Sequence, residues 1–251
     1  MNSKLKMENM DPEIKVFKTP LELAENLAAR ISSVIEENRS GGNNNFIAIS
    51  GGNTPKTLFS VLAEEYKDRL NWEKIHFFWV DERCVPPEDQ ESNYGMTKKY
   101  LFDKIEIPDE NIHRIRGENI PEKEADRYSA EIDEYIRYNN KLPNFDLIIL
   151  GIGTDGHTAS IFPNQLQLFN SEDVCAIGIH PQSGQKRVTL TGRVINNADN
   201  VFFMITGEDK AKIVSDIVKK NKGFERYPAG NINPFHGKYE WFLDTSASNM
   251  L

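Results

Sequence analysis

Short apolar runs without polar alternation punctuate the chain at residues 46–49 (FIAI), 75–80 (IHFFWV), 145–150 (FDLIIL) and 201–206 (VFFMIT). Strands buried on both faces of a parallel sheet read this way. Between these runs apolar positions recur every three to four residues, the mark of amphipathic helices. One such pattern opens at Thr19-Pro20, a capping residue followed by proline at the first helical position, and continues through Leu23, Leu27, Ile31 and Ile35. Others cover residues 56–66, a stretch through Lys98 and Leu101, and the segment opened by residues 207–210. Residues 121–138 carry Ala125, Tyr128, Ile132, Tyr135 and Ile136 as an inner stripe. Residues 13–18 alternate and predict an edge strand, and residues 174–179, 187–191 and 239–243 predict further strands. Strands alternating with helices over nearly the whole length give an α/β fold. We expect a Rossmann-like, doubly wound, mostly parallel sheet with helices on both faces.

Polar residues gather where the strands stop, and in open α/β sheets ligands bind at those carboxyl ends. Residues 151–157 (GIGTDGH) hold three glycines, which let the backbone turn tightly and bring N–H groups close to a ligand. His157 is the acid/base candidate, because an imidazole titrates near neutral pH, and Asp155 would orient it. The plain alternative makes Asp155 the cap of a following helix. Residues 50–55 (SGGNTP) link a strand to a helix with proline at its start. Free amides and the helix dipole make that turn an anion site, with hydroxyls from Ser50 and Thr54, unless it is merely a tight turn with a capping threonine. The turn itself matches neither GxGxxG nor GK[ST].

Asp81, Glu82 and Arg83 end the strand at 75–80, where charges are costly to desolvate unless they pair or meet a ligand. Lys210 stands in the first turn of a helix, the wrong end for a cation unless an anion binds there. A phosphate at residues 50–54, countered by Arg187 and Lys210, would sit beside Asp81, Arg83, Asp155 and His157.

The length of 251 residues permits one large domain or two small ones. No composition shift marks a boundary, so residues 13–251 read as a single domain after a flexible N-terminus at 1–12. With 39% hydrophobic and 27% charged residues, the composition is that of an ordinary soluble globular protein. No apolar run approaches the roughly 18 residues of a membrane span. The polar first ten residues lack the apolar core of a signal peptide. Cys84 and Cys175 are too few for a disulfide framework, read as small buried hydrophobes, and fit a reducing cytoplasm. A net charge of -8 argues against nucleic acid and anionic membranes as partners, so an anionic substrate needs local cations. The five histidines show no metal-ligand spacing, and no GxSxG elbow is present. A monomer and a small homo-oligomer both remain open.

Five stretches, SGGNTP, VDERCVPPEDQESNYG, GIGTDGHTASIFP, RVTLTG and TGEDKAKIV, together resemble the 6-phosphogluconolactonases, relatives of the glucosamine-6-phosphate deaminases and of ribose-5-phosphate isomerase folds. The resemblance runs over residues 17–243. It implies hydrolysis of 6-phosphoglucono-1,5-lactone to 6-phosphogluconate, the second step of the oxidative pentose phosphate route, with neither metal nor cofactor. It makes His157 the base that activates water and later protonates the ring oxygen, with Asp155 beside it and Arg83 polarising the lactone. It gives the phosphate to Ser50, Gly51, Gly52, Thr54, Arg187 and Lys210, with Asn53, Asp81 and Gly153 as further substrate positions. Lactone hydrolysis needs a water deprotonated near neutral pH and fixed donors for the oxyanion, which a histidine and a glycine-rich turn supply.

The deaminase branch shares fold and phosphate site, and Asp81 aligns with its proton-abstracting aspartate. It differs in having DEY-V-G-L where this chain has DERCVP, and a glutamate where this chain has Ile161-Phe162-Pro163. A sugar-phosphate-sensing regulator would need a DNA-binding module, for which the dozen residues before the first strand leave no room. Asn93, Arg193 and His236 stay open between scaffold and site.

Overall fold

Helix and strand positions follow the hydrophobic pattern closely in the computed structural model, which describes residues 10–39 and 43–251. The chain begins β1 (Glu13–Phe17), α1 (Pro20–Arg39), β2 (Asn45–Ile49), α2 (Pro55–Glu65), β3 (Ile75–Trp79), β4 (Asp81–Arg83) and α3 (Asn93–Tyr100). It continues through β5 (Ile112–His113), α4 (Pro121–Tyr135), β6 (Tyr138–Asn139), β7 (Leu142–Pro143) and β8 (Leu147–Leu150). It closes with β9 (Cys175–Ile179), β10 (Lys186–Leu190), α5 (Gly192–Ile195), β11 (Asn200–Ile205), α6 (Ala211–Val218) and β12 (Lys238–Asp244). Thr19 caps α1 as its sequence indicates: its Oγ1 accepts from the Glu22 amide at 3.1 Å, and Glu22 reaches back to the Lys18 amide.

Seven strands form a parallel sheet in the order β1-β12-β11-β8-β2-β3-β5. Every residue of β3 and β8 is buried, because helices cover both faces of the sheet. From β2 the chain winds outward through β3 to β5, and from β8 it winds the other way through β11 to β12. The neighbours β2 and β8 therefore flank the topological switch point, where open sheets of this kind leave a crevice. The Ser50 hydroxyl donates to the Ile149 carbonyl at 2.9 Å and ties the two strand ends together. At the end of β3, Tyr128 of α4 both donates to and accepts from the Trp79 backbone, at 3.0 and 2.8 Å.

Several elements depart from the expectation. The sequence marks residues 81–83 only as the polar end of the strand at 75–80, yet β4 is a strand of its own that pairs antiparallel with β10, which pairs in turn with β9 in a second, three-stranded sheet. The strands predicted at 174–179 and 187–191 exist, but in this small sheet. A polar three-residue strand has no apolar signature, and its partner lies about a hundred residues away. The helix predicted over 121–138 stops at Tyr135, because Ile136 turns extended to bury its side chain and Tyr138 enters the β6–β7 hairpin. Tyr135 is partly exposed, off the inner stripe. The segment after residue 162, read as variable and polar, forms 3-10 turns over Pro163–Phe169 with Phe169 buried.

Residues 1–9 of the expected flexible N-terminus, and 40–42 of the expected polar loop at 40–45, lie outside the described residues. Met10 donates its amide to Asn233, and Asp11 pairs with Lys220. No helix among the described residues is long and apolar enough to cross a membrane.

Candidate active site

The turn that follows β8 is built around one side chain. A Cβ on Gly153 would lie 2.1 Å from the His157 ring, so only glycine leaves room for the imidazole. Gly156 has φ +84° and lies against Tyr227, whose ring a Cβ would meet at 2.5 Å. The Gly153 amide donates to the His157 carbonyl at 2.8 Å and closes the turn. Inside it, Asp155 Oδ1 accepts from the His157 amide at 3.0 Å and lies 2.6 Å from His157 Nδ1. Burial works against the charge on Asp155, but the hydrogen bonds from His157 prevail and hold its carboxyl down to about 2. An ionised Asp155 accepts the Nδ1–H, which leaves the Nε2 lone pair free to act as a base. No helix follows for Asp155 to cap: residues 158 and 161 form a bridge, and helical turns resume only at Pro163.

Opposite this turn, β4 and β10 place Arg83 and Arg187 directly across from one another in register. Like charges in that position repel. Arg187 is buried, donates to Gln185 Oε1 at 3.2 Å and stacks over Phe162. Burial, and after it the Arg83 charge, depress its guanidinium below the usual arginine range. Arg83 donates to the Glu91 carbonyl, and its Nε is buried without a partner. Among the described residues neither arginine forms an ion pair. Two cations brought together in this way make an anion-binding wall.

The turn at residues 50–54 forms the remaining side. Gly52 has φ +96°, and Gly51 packs so close to Asn93 that a Cβ there would overlap its carboxamide. Thr54 makes no side-chain cap to α2, contrary to the plain reading of that turn; its hydroxyl lies 3.3 Å from that of Thr206. Lys210 is 16% exposed and pairs with Asp209 at 2.6 Å. Asn53 holds the Lys56 ammonium. Asp81 Oδ2 accepts from the buried Ser160 hydroxyl at 2.6 Å.

These turns enclose a cavity of about 360 Å³, in the range of small-molecule sites. It is lined by Ser50, Gly51, Gly52, Asn53, Thr54, Asp81, Arg83, Gly153, His157, Arg187 and Lys210. Asp155 lies behind His157, outside the lining. Of the residues left open, Asn93 lines the cavity, while His236 bonds Asp199 away from it and Arg193 is absent from the wall. Thr206, Asp209 and Ala159 also line it; they lie within the resembling stretches but were not singled out as site residues. Ala159 has φ +50°, a conformation that no local pattern announces for alanine. Glu82 turns away from the cavity altogether. Its carboxylate accepts from the Arg83, Asn93 and Tyr94 amides and the Ser92 hydroxyl, at 2.7 to 3.0 Å, and so caps α3. Burial pushes both thiols up, Cys84 to about 11 and Cys175 to about 12, so neither is a nucleophile at neutral pH.

Fold and site together are those of an α/β enzyme with a cation-lined, small-molecule-sized cavity at the switch point of a parallel sheet. The family described as glucosamine-6-phosphate isomerases/6-phosphogluconolactonase matches residues 18–241, and the chain belongs to it. A 6-phosphogluconolactonase from Haemophilus influenzae is 47% identical over 208 residues, covering 82% of this chain and 87% of that protein. One from Treponema pallidum is 40% identical, covering 76% and 79% respectively. The solved structure of 6-phosphogluconolactonase from Trypanosoma brucei matches with a TM-score of 0.88 at 28% identity, over 96% of this chain and 99% of that one.

Proposed function

We propose that this protein hydrolyses 6-phospho-D-glucono-1,5-lactone to 6-phospho-D-gluconate, as a cytoplasmic enzyme whose single domain spans residues 13–251. The observation that carries the reading is the His157–Asp155 pair opening on the same cavity as two arginines that form no ion pair among the described residues. The phosphate is held by the amides of residues 50–54 and the Thr54 hydroxyl with Lys210 and Arg187, while the Ser50 hydroxyl, spent on the Ile149 carbonyl, serves to hold the turn, so the ester end is directed toward His157 and Arg83. Nε2 of His157 takes a proton as water attacks the carbonyl carbon. The oxyanion forms against the Arg83 guanidinium and the glycine-turn amides. As the ring C–O bond breaks, His157 returns the proton to the departing ring oxygen. Asp81 accepts from a sugar hydroxyl. Where the deaminase branch carries its glutamate, this chain has Ile161 and Phe162, both fully buried, so no carboxylate stands at that position.

Steady-state hydrolysis of the lactone tests this directly. His157→Ala is expected to lower kcat by on the order of 10², the scale of a lost general base. Lys210→Ala is expected chiefly to raise KM, because phosphate contacts serve ground and transition states alike. Near wild-type turnover by the His157 variant, or appreciable ammonia release from glucosamine 6-phosphate, would overturn the reading.

A further inference from the structure

Arg83 and Arg187 repel one another in register, so each guanidinium must be held where it stands. Phe162 lies under one face of the Arg187 group, 5.6 Å from the guanidinium carbon to the ring centroid. A ring face limits tilt but leaves the guanidinium free to turn in its own plane. One hydrogen bond removes that freedom, from Nε to Gln185 Oε1 at 3.2 Å. Among the described residues the two terminal nitrogens have no hydrogen-bond partner, and they are not buried, so they are the part of Arg187 left for a ligand in the cavity.

Gln185 is itself anchored. Its Nε2 donates to Glu91 Oε2 at 2.8 Å. A guanidinium N–H only donates and a carboxylate only accepts, so this carboxamide has one possible orientation. Its backbone is fixed as well, since its carbonyl accepts from the His180 amide at 2.9 Å and its own amide donates to the Ser183 hydroxyl at 3.3 Å. Glu91 also serves the other arginine, because its backbone carbonyl accepts from Nη1 of Arg83 at 2.6 Å. The Glu91–Gln185 link therefore ties the loop before α3 to the β9–β10 turn and braces both cations at once.

The residue type decides what such a brace does. A carboxylate at position 185 would pair with Arg187 and cancel the charge that an anionic ligand needs. A carboxamide fixes the direction of the guanidinium and leaves its charge to the cavity. We propose that Gln185 is a positioning residue that, braced by Glu91, aims the Arg187 guanidinium at the substrate phosphate without neutralising it, an inference that rests on the phosphate role given to Arg187 above.

Gln185→Leu removes both hydrogen bonds at nearly constant volume. Lactone hydrolysis is expected to show KM raised about 10-fold with kcat within about twofold, because the lost bond to a charged group served ground and transition states alike. Binding of 6-phosphogluconate, followed by titration calorimetry, should weaken by the same factor. Gln185→Glu keeps the acceptor and adds a competing charge, so its KM should rise at least as far; it provides the comparison should the leucine variant fold poorly. In an Arg187→Ala background neither change should move KM by more than about twofold, because Gln185 acts only through Arg187. Unchanged KM and Kd in the single variants, or the full loss persisting without Arg187, overturns the role of Gln185 and leaves the lactonase reading intact. A wild type that binds 6-phosphogluconate without hydrolysing the lactone removes that reading, and the calorimetric comparison then decides Gln185 by itself. A wild type that does neither overturns both.

Discussion

A single glycine sets the geometry of the proposed base. Gly153 leaves the space in which the His157 ring lies, and the same turn brings Asp155 to 2.6 Å from Nδ1. The carboxylate's contribution is to hold the proton on Nδ1, so that Nε2 carries the lone pair. In Asp155→Asn the amide can present an N–H to the ring and favour the opposite tautomer. We therefore expect kcat to fall by at least about 100-fold with KM little changed, measured by steady-state lactone hydrolysis. Unaltered kcat would show that His157 finds its tautomer unaided. His157, Asp155 and Gly153 were legible because all the chemistry lies within five residues of chain. The place of Asn93 was not, because its contacts are with Gly51 and Asp81, which lie in other segments.

At the level of elements, the small sheet does what the large one cannot. Parallel strands deliver turns to the switch point, but the paired arginines come from β4 and β10, held side by side by antiparallel hydrogen bonding. The position of β4 depends in turn on Glu82, whose carboxylate anchors the first turn of α3 and so fixes Asn93. Burial lifts this carboxyl to about 7, against the pull of three backbone amides. Glu82→Gln places an NH₂ group against donors and leaves buried amides unpaired, at a cost of about 3 kcal/mol. For a chain of this length that corresponds to a fall in Tm of about 10 °C, read by thermal denaturation. An unchanged Tm would show that α3 is held by its packing alone. The sequence marked Asp81, Glu82 and Arg83 as too costly to leave unpaired. Their division into two site residues and one helix cap follows from strand alternation, which turns successive side chains to opposite faces.

Across the whole molecule, a chain of net charge -8 gathers Arg83, Arg187 and Lys210 at one cavity, so the anion is met by local cations against the overall field. Away from the cavity, a second polar chain joins the residue preceding β2 to β3, β5 and α4 in the order Asn44, His76, His113 and Glu131. Glu131 accepts from His113 Nδ1, so His113 Nε2 accepts from His76 Nδ1, and His76 Nε2 accepts from Asn44. No ring nitrogen is left for an added proton. Burial, then His113 and Lys74, push His76 down to about 4, with Glu110 pulling the other way. A histidine whose folded value is depressed favours unfolding once protonated, so its contribution is retained above about 6.5 and lost as pH falls toward 4. Glu82 responds in the opposite sense between about 7 and 4.5, while Asp155 responds in the same sense as His76 but only between about 3.8 and 2. The stability difference between wild type and His76→Gln isolates the histidine: it should narrow by about 3 kcal/mol between pH 7.5 and 4 in denaturant titrations. A difference constant with pH would rule this out.

What the sequence by itself determined is whatever a few consecutive residues dictate. Strands buried on both faces must be unbroken apolar runs, a capped helix must begin at Thr19-Pro20, and a tight glycine turn must carry Asp155 and His157 together. The tertiary structure alone decided which strand ends meet. It joined β2 to β8 at the switch point, set Arg187 beside Arg83 across about a hundred residues, and turned the Asn93 oxygen onto Gly51. Local pattern records the burial and backbone freedom of each segment. Contacts between distant segments arise only when packing selects one register among many that the same pattern allows.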